Sequence, residues 1–348
     1  MREAAHTTKL AATIISATTL LTLPTLGHAA IVTWDGSHSS DWTDGRNWDT
    51  GTMPANNLND DIATFNDPTS IPNQPRINAS RNSKGWNFTG AGWHIAWNGS
   101  STHAIGDAGI NFDAGATGGE ITIDARIYLG SSQTWHTAEN HTIDMNEKIS
   151  GNGRNLDKSG AGTLILNGES NSYSQTNVNE GTLLINGSLD DRTADVTVAA
   201  NAMLGGNGTI NRNVMISSNG TITGGDKNNV DTLAITHDLA INGLYFADLS
   251  DNNNADKLDV SETLDITNAT LILNDAGITD SGTFTIASYG TLLGTEFANI
   301  INQTSYTIDT IDYSGGQINV SMLIPEPSSI LSLMGALLVL PLRRKRTC

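Results

Sequence analysis

All seven tryptophans of this chain, Trp34, Trp42, Trp48, Trp86, Trp93, Trp97 and Trp135, fall within its first 135 residues. An exposed indole face can stack on a sugar ring, which makes Trp86, Trp93 and Trp97 the candidates for glycan stacking. Trp34, Trp42 and Trp48 suit another task, covering the apolar end of the folded body, and burial is the usual fate of this residue type. Oxygen ligands are offered by residues 248–256, with Asp251-Asn252-Asn253-Asn254 at their centre. Their spacing matches neither a helix-loop-helix calcium loop nor a glycine-rich calcium nonapeptide. A solvated loop with at most weak calcium association is expected, and no resident cofactor.

Acid–base catalysis would need carboxylates converging on one face with a basic partner. His94, His103, His136 and His141 are scattered and lack metal-ligand spacing. Between residue 160 and the C-terminal tail the basic side chains are Arg192, Arg212, Lys227, His237 and Lys257. No Gly-x-Ser-x-Gly elbow occurs, and Gly205-Gly206-Asn207-Gly208 reads as a turn rather than a phosphate loop. No catalytic or metal-ligating residue is assigned. A non-enzymatic protein is expected, with a polysaccharide lyase or hydrolase as the enzyme alternative.

Stepping outward from these residues, the two ends of the chain carry targeting chemistry. At the C-terminus Pro325-Glu326-Pro327 precedes an apolar stretch at 330–342, and Arg343-Arg344-Lys345-Arg346 follows. That stretch is short against the roughly 20 residues an ordinary spanning helix needs. Snorkelling arginines narrow the gap and favour a cytoplasmic position for the basic end. At the N-terminus Arg2 and Lys9 flank a threonine-diluted apolar run at 10–23, and Gly27-His28-Ala29-Ala30 gives a small-residue exit. Residues 1–30 therefore read as a secretory leader, cleaved after Ala29 or Ala30. The tail resembles the PEP-CTERM sorting signal of Gram-negative bacteria, over residues 324–348. The resemblance implies an exosortase-type sorting enzyme as partner, transient anchoring in the inner membrane and delivery to the cell surface or extracellular matrix.

The formal charge is −18, and without the charged residues of both ends the body is near −22, with 12 basic against 34 acidic side chains. Such an anion repels nucleic acid. The single cysteine, Cys348, lies in the tail. A body without disulfides must be held by burial and backbone pairing alone.

Short runs of Ile, Leu, Val and Thr alternate with Gly, Asn and Asp turns throughout the body, with no helical period. Gly162-Thr163-Leu164-Ile165-Leu166-Asn167-Gly168 recurs nineteen residues later as Gly181-Thr182-Leu183-Leu184-Ile185-Asn186-Gly187. A strand-plus-turn repeat of that length predicts an all-β parallel β-helix, since one rung cannot bury its own inward side chains and stacking can. At about 20 residues per rung, roughly thirteen rungs and some 60 Å of solenoid are expected. A β-sandwich is the structural alternative.

Residues 156–188, from Leu156-Asp157-Lys158-Ser159-Gly160 through Tyr173-Ser174 to Ile185-Asn186-Gly187-Ser188, resemble the autotransporter-associated β-strand repeat. Gln175 stands where that repeat usually has a glycine. Looser likeness extends to Trp34-Asp35-Gly36 with Trp42 and Asn47-Trp48, and to Ala255-Asp256-Lys257-Leu258-Asp259-Val260. The resemblance implies a right-handed parallel β-helix passenger on the cell exterior. No C-terminal series of alternating ten-residue barrel strands is present, so the sorting tail is the expected export device. The expected organisation is a leader (1–30), a Trp-rich cap (31–58), a single β-helix (59–323) and a sorting tail with a short transmembrane helix (324–348). The expected role is a surface or matrix structural or adhesion protein, with extracellular polysaccharide as a candidate partner and a carbohydrate-binding module as the alternative.

Overall fold

The structure, a computed structural model, describes residues 30–323 apart from 116–117, 192–193 and 227–228. Residues 1–29 of the expected leader, Ala29 included, lie outside the described residues, and Ala30 lies within them. So do Arg192, Lys227 and the whole sorting tail, Pro325-Glu326-Pro327 and Arg343-Arg344-Lys345-Arg346 included. Among the described residues no helix is long and apolar enough to cross a membrane.

The sequence repeat builds the fold directly. Thr163–Leu166 lies parallel to Thr182–Ile185, with Thr163 opposite Thr182, Leu164 opposite Leu183 and Leu166 opposite Ile185. The nineteen-residue spacing is thus one rung. Within Thr163–Leu166 the side chains alternate, Leu164 and Leu166 buried, Thr163 and Ile165 partly exposed, as the two-residue period of a strand requires. The same registration runs on through Met203–Gly205, Thr221–Ile222 and Leu244–Leu249. The result is an all-β parallel solenoid. Eleven parallel strands stack on one face, and a twenty-stranded sheet forms the others.

Sharp corners between faces need backbone that most side chains resist. Asn140, Gly160, Gly181, Asn201 and Asn219 precede successive strands of the eleven-stranded face, and all have positive φ. Glycine tolerates that region for want of a Cβ, and asparagine more readily than other side chains. This is why Gly and Asn punctuate the sequence at rung intervals.

The rung count differs from expectation. Partners on the eleven-stranded face are separated by as few as 18 residues, from Met203 to Thr221, and as many as 29, from Thr270 to Asn299. Loops inserted at corners lengthen many rungs beyond twenty, so fewer rungs fit. The last residues also leave the parallel ladder. Gly282–Leu293 pairs antiparallel with Gln317–Leu323, which pairs antiparallel with Thr307–Asp312. This hairpin packs Tyr306, Ile308, Ile311 and Tyr313 against the core and closes the C-terminal end.

The N-terminal end is closed differently. Strand β1 (Ala30–Thr33) pairs parallel with β2 (Asp61–Phe65), and the intervening residues cross the end of the column. Trp48 meets Trp34 and Trp42 edge-on, with ring centroids 5.0 and 4.9 Å apart. The Trp48 indole N–H donates to the Trp42 carbonyl at 3.0 Å, and that of Trp34 to the Asn73 carbonyl at 2.9 Å. Each indole thereby buries its apolar area without orphaning its donor. From Trp42 the aromatic column runs inward through Phe65, Trp86 and Phe88, then gives way to Ile, Leu and Val.

Candidate functional site

The structure corrects the glycan-stacking assignment. Trp86 and Trp93 are each 1% exposed, because both point into the column and lie against Phe65. Neither offers a face to a sugar. Trp97 is half-buried, its N–H donates to the Ser101 carbonyl at 2.7 Å, and the Arg126 guanidinium lies 4.7 Å above its ring. The aromatic payload is spent on the core.

The histidines do not converge. His103 is fully buried among Trp42 and Trp86, with Nε2 2.9 Å from the Ser83 hydroxyl, and burial pushes its pKa down to about 3. A Ser–His contact of that length is the start of a nucleophile pair. Here Ser83 and His103 are both inaccessible, the Trp86 indole N–H also reaches Nε2, and Nδ1 has no partner, so no third group orients the base from its far side and no substrate reaches it. His141 is consumed by backbone, with Nδ1 2.7 Å from the Glu139 carbonyl and Nε2 accepting the Ala114 amide at 2.9 Å. His94 pairs with Asp124 at 2.6 Å on the outer face.

Near that pair a ladder of amides runs along the rod. Asn146 donates to Asp124 at 2.8 Å, Asn167 to Asn146 at 2.7 Å, and Asn186 to Asn167 at 3.0 Å. Asn167 also donates to Asp144 at 2.6 Å, whose carboxyl is raised by burial and by neighbouring Glu120. These carboxylates are occupied by the ladder. Residues 248–256 place Asp248 and Asp256 inside and leave Asp251–Asn253 as an exposed turn. Among the described residues no group of three or more His, Cys, Asp or Glu side chains is arranged to hold a metal.

A groove of about 460 Å³ lies on the outer side of the eleven-stranded face, lined by Thr142, Thr163, Thr182, Leu184 and Met203 among others. A second hollow of about 380 Å³ continues it past Thr182 and Met203 to Phe246 and Ile272. The groove is a hydroxyl row beside Leu184 and Met203, and its lining also includes Glu139, His141 and Asp226, of which His141 is engaged by the Glu139 carbonyl and the Ala114 amide.

Two polar groups that sequence reading passes over hold the rungs together. Arg212 reaches across neighbouring rungs to donate to the carbonyls of Asp190 at 3.0 Å, Tyr173 at 2.9 Å and Ser174. Lys158 is buried and donates to the carbonyls of Ser159, Gly160 and Glu180 at 2.8, 2.7 and 3.2 Å. Burial lowers its pKa to about 8, with Glu180 opposing. For Lys158 the signal in the sequence is a basic residue at an inward position of Leu156–Ser159, whereas Arg212 lies in the turn between Thr209–Ile210 and Val214–Ile216.

A family model described as a passenger-associated-transport-repeat matches residues 156–185. The match starts with Leu156–Ser159, passes through Thr163–Leu166 and ends with Thr182–Ile185, a little more than one rung. No curated protein matches the chain. The repeat and the solenoid together suggest an exported surface protein.

Proposed function

We propose that this chain is a non-enzymatic structural protein of the cell surface or extracellular matrix, exported by its leader and sorted by its C-terminal tail. The observation that carries the reading is the passenger-associated repeat at 156–185, seated in register within a continuous solenoid. A rod of stacked rungs supplies length and display surface, and its outer positions are Thr, Asn and Asp rather than converging catalytic groups. The anionic body suits a hydrated exterior. Right-handed coiling accords with the strong preference of parallel crossovers. Pro325-Glu326-Pro327, the apolar stretch and Arg343-Arg344-Lys345-Arg346 would engage an exosortase-type enzyme at the inner membrane. Extracellular polysaccharide is the partner such a location offers, and the threonine-lined groove is where it would lie.

The test is fractionation of the full chain in an exosortase-bearing host, with and without the triple change of Pro325, Glu326 and Pro327 to Ala. Tail processing and surface delivery should be lost in the variant. Unchanged processing and placement would refute the sorting part of the reading.

A further inference from the structure

The sequence holds seven Asn-Gly pairs, most of them at rung corners. Each carries a reaction of its own, because a glycine nitrogen, with no Cβ beside it, can reach the carbonyl carbon of the asparagine side chain. Attack needs a loose carboxamide, an amide nitrogen without a hydrogen bond, and room for the peptide to rotate. The rungs withhold at least one of these from six pairs. In the amide ladder Asn167 is tied at both ends of its carboxamide, and Asn186 through its nitrogen. The glycine amides after Asn186, Asn207 and Asn219 donate to the carbonyls of Leu166, Ile185 and Ser217 at 2.9, 2.8 and 2.8 Å. Gly168 and Gly243 are wedged against the preceding rung, where a Cβ would fall 2.5 Å from the Glu147 carbonyl oxygen and 2.3 Å from that of Gly220. Gly99 has space, but Asn98 Oδ1 accepts the amides of Ser100 and Ser101 at 3.0 and 3.1 Å, and its side-chain nitrogen donates to the Asn78 carbonyl at 2.8 Å. Asn152-Gly153 keeps all three freedoms. Both residues are exposed, in the turn between Ile149–Gly151 and Leu156–Ser159. Among the described residues neither the Asn152 side chain nor the Gly153 amide has a hydrogen-bond partner. Gly153 has φ +68°, and a Cβ there would meet nothing within 4 Å.

We propose that Asn152 is the site at which the folded protein modifies itself, by deamidation through a succinimide. The Gly153 nitrogen bonds to the side-chain carbonyl carbon of Asn152 and gives up its proton. The bond from that carbon to Nδ2 breaks, and ammonia leaves. Water then opens the ring at either carbonyl, so no oxidant or cofactor is needed. Opening at the side-chain carbonyl leaves aspartate. Opening at the backbone carbonyl leaves isoaspartate, in which the main chain runs through the side chain and gains a methylene. Either product puts a carboxylate where a neutral amide stood, two residues before Arg154. The Arg154 amide closes the turn on the Gly151 carbonyl at 2.9 Å, and its carbonyl accepts the Ser174 amide at 2.6 Å. The modified turn therefore borders a contact between rungs inside the passenger-associated repeat. The inference stands on the turn alone and needs neither the export nor the sorting reading.

The purified full-length chain is incubated in mildly alkaline buffer, once folded and once in concentrated urea, and peptides spanning the seven pairs are followed by mass spectrometry. Unfolded, all of them should convert at similar rates, since glycine follows each asparagine. Folded, Asn152 should stay within about threefold of its unfolded rate while the others slow at least about tenfold, because they must wait for local opening of a rung. Faster conversion at another pair in the folded chain, or protection of Asn152 equal to the rest, overturns the proposal. Asn152→Gln supplies a second readout, because its longer side chain closes a larger ring far less readily. The folded variant should lose most of the acidic charge variants that wild type accumulates on ion exchange. An undiminished acidic fraction overturns the assignment.

Discussion

Asp256 accepts the Thr223 hydroxyl at 2.7 Å and the amides of Asp231 and Asp248 at 3.1 and 3.2 Å, yet it sits beside a second buried acid. Burial pushes its pKa from 3.8 up to about 6, and the Asp248 charge adds to the rise. Asp248 is raised for the same reason, and its Oδ2 has no partner. A folded pKa above the unfolded one means that the folded state holds the proton more tightly. The contribution to stability is therefore complete below 3.8 and is lost as pH climbs through about 6. Thermal unfolding across this window should show a falling Tm. The Asp256→Asn form should lie lower throughout, because an amide nitrogen replaces an acceptor, but should lose much of the slope. The difference in pH dependence should be roughly 2–3 kcal/mol. Equal slopes in the two forms would show that Asp256 does not titrate in this window.

Elements in this molecule are short, and their corners carry the constraint. Gly181 has φ +66°, and a Cβ there would come within 2.4 Å of the carbonyl oxygens of both Gly160 and Gly162 on the preceding rung. Gly51 has a similar φ of +71° but nothing within 4 Å. The two positions separate backbone strain from rung-to-rung collision. Gly51→Ala should cost about 1–2 kcal/mol, the left-handed penalty alone. Gly181→Ala should cost clearly more, because opening the gap between rungs weakens the ladder from Thr163 to Thr182. Urea denaturation of the two variants gives the comparison, and equal losses would deny the corner its packing role.

At the scale of the whole molecule a solenoid has two ends and a column between them. Each rung contacts only its neighbours, so stability is nearly a sum along the rod and an uncovered end frays. The N-terminal end is covered by Trp34, Trp42 and Trp48, and the C-terminal end by the antiparallel hairpin. Trp42→Ala should cost about 3–5 kcal/mol. Its signature should be positional, with hydrogen exchange accelerating in β1, β2 and Arg81–Phe88 while Thr163–Leu166 and Thr182–Ile185 stay protected. Uniform acceleration along the chain would mean that the rod unfolds as one cooperative unit.

Fold class was legible because a rung is local. The Gly162–Gly168 motif and its copy are adjacent in sequence and in space, so period, strand and turn can be read from one stretch of chain. The number of rungs was not legible, since corner loops stretch the spacing from 18 to 29 residues without disturbing strand register. Nor was the fate of Trp86 and Trp93, because an indole in or beside a strand reads equally well as stacking surface or as core until the partner rings are placed. The pairing of Asp256 with Thr223, 33 residues away, follows from rung stacking and leaves no mark in local sequence. By itself the sequence determined the repeat and the charge, both carried by the local order of residues. Only the tertiary structure decided which side chains face inward and which acids share a buried site, because each depends on lateral contact between rungs.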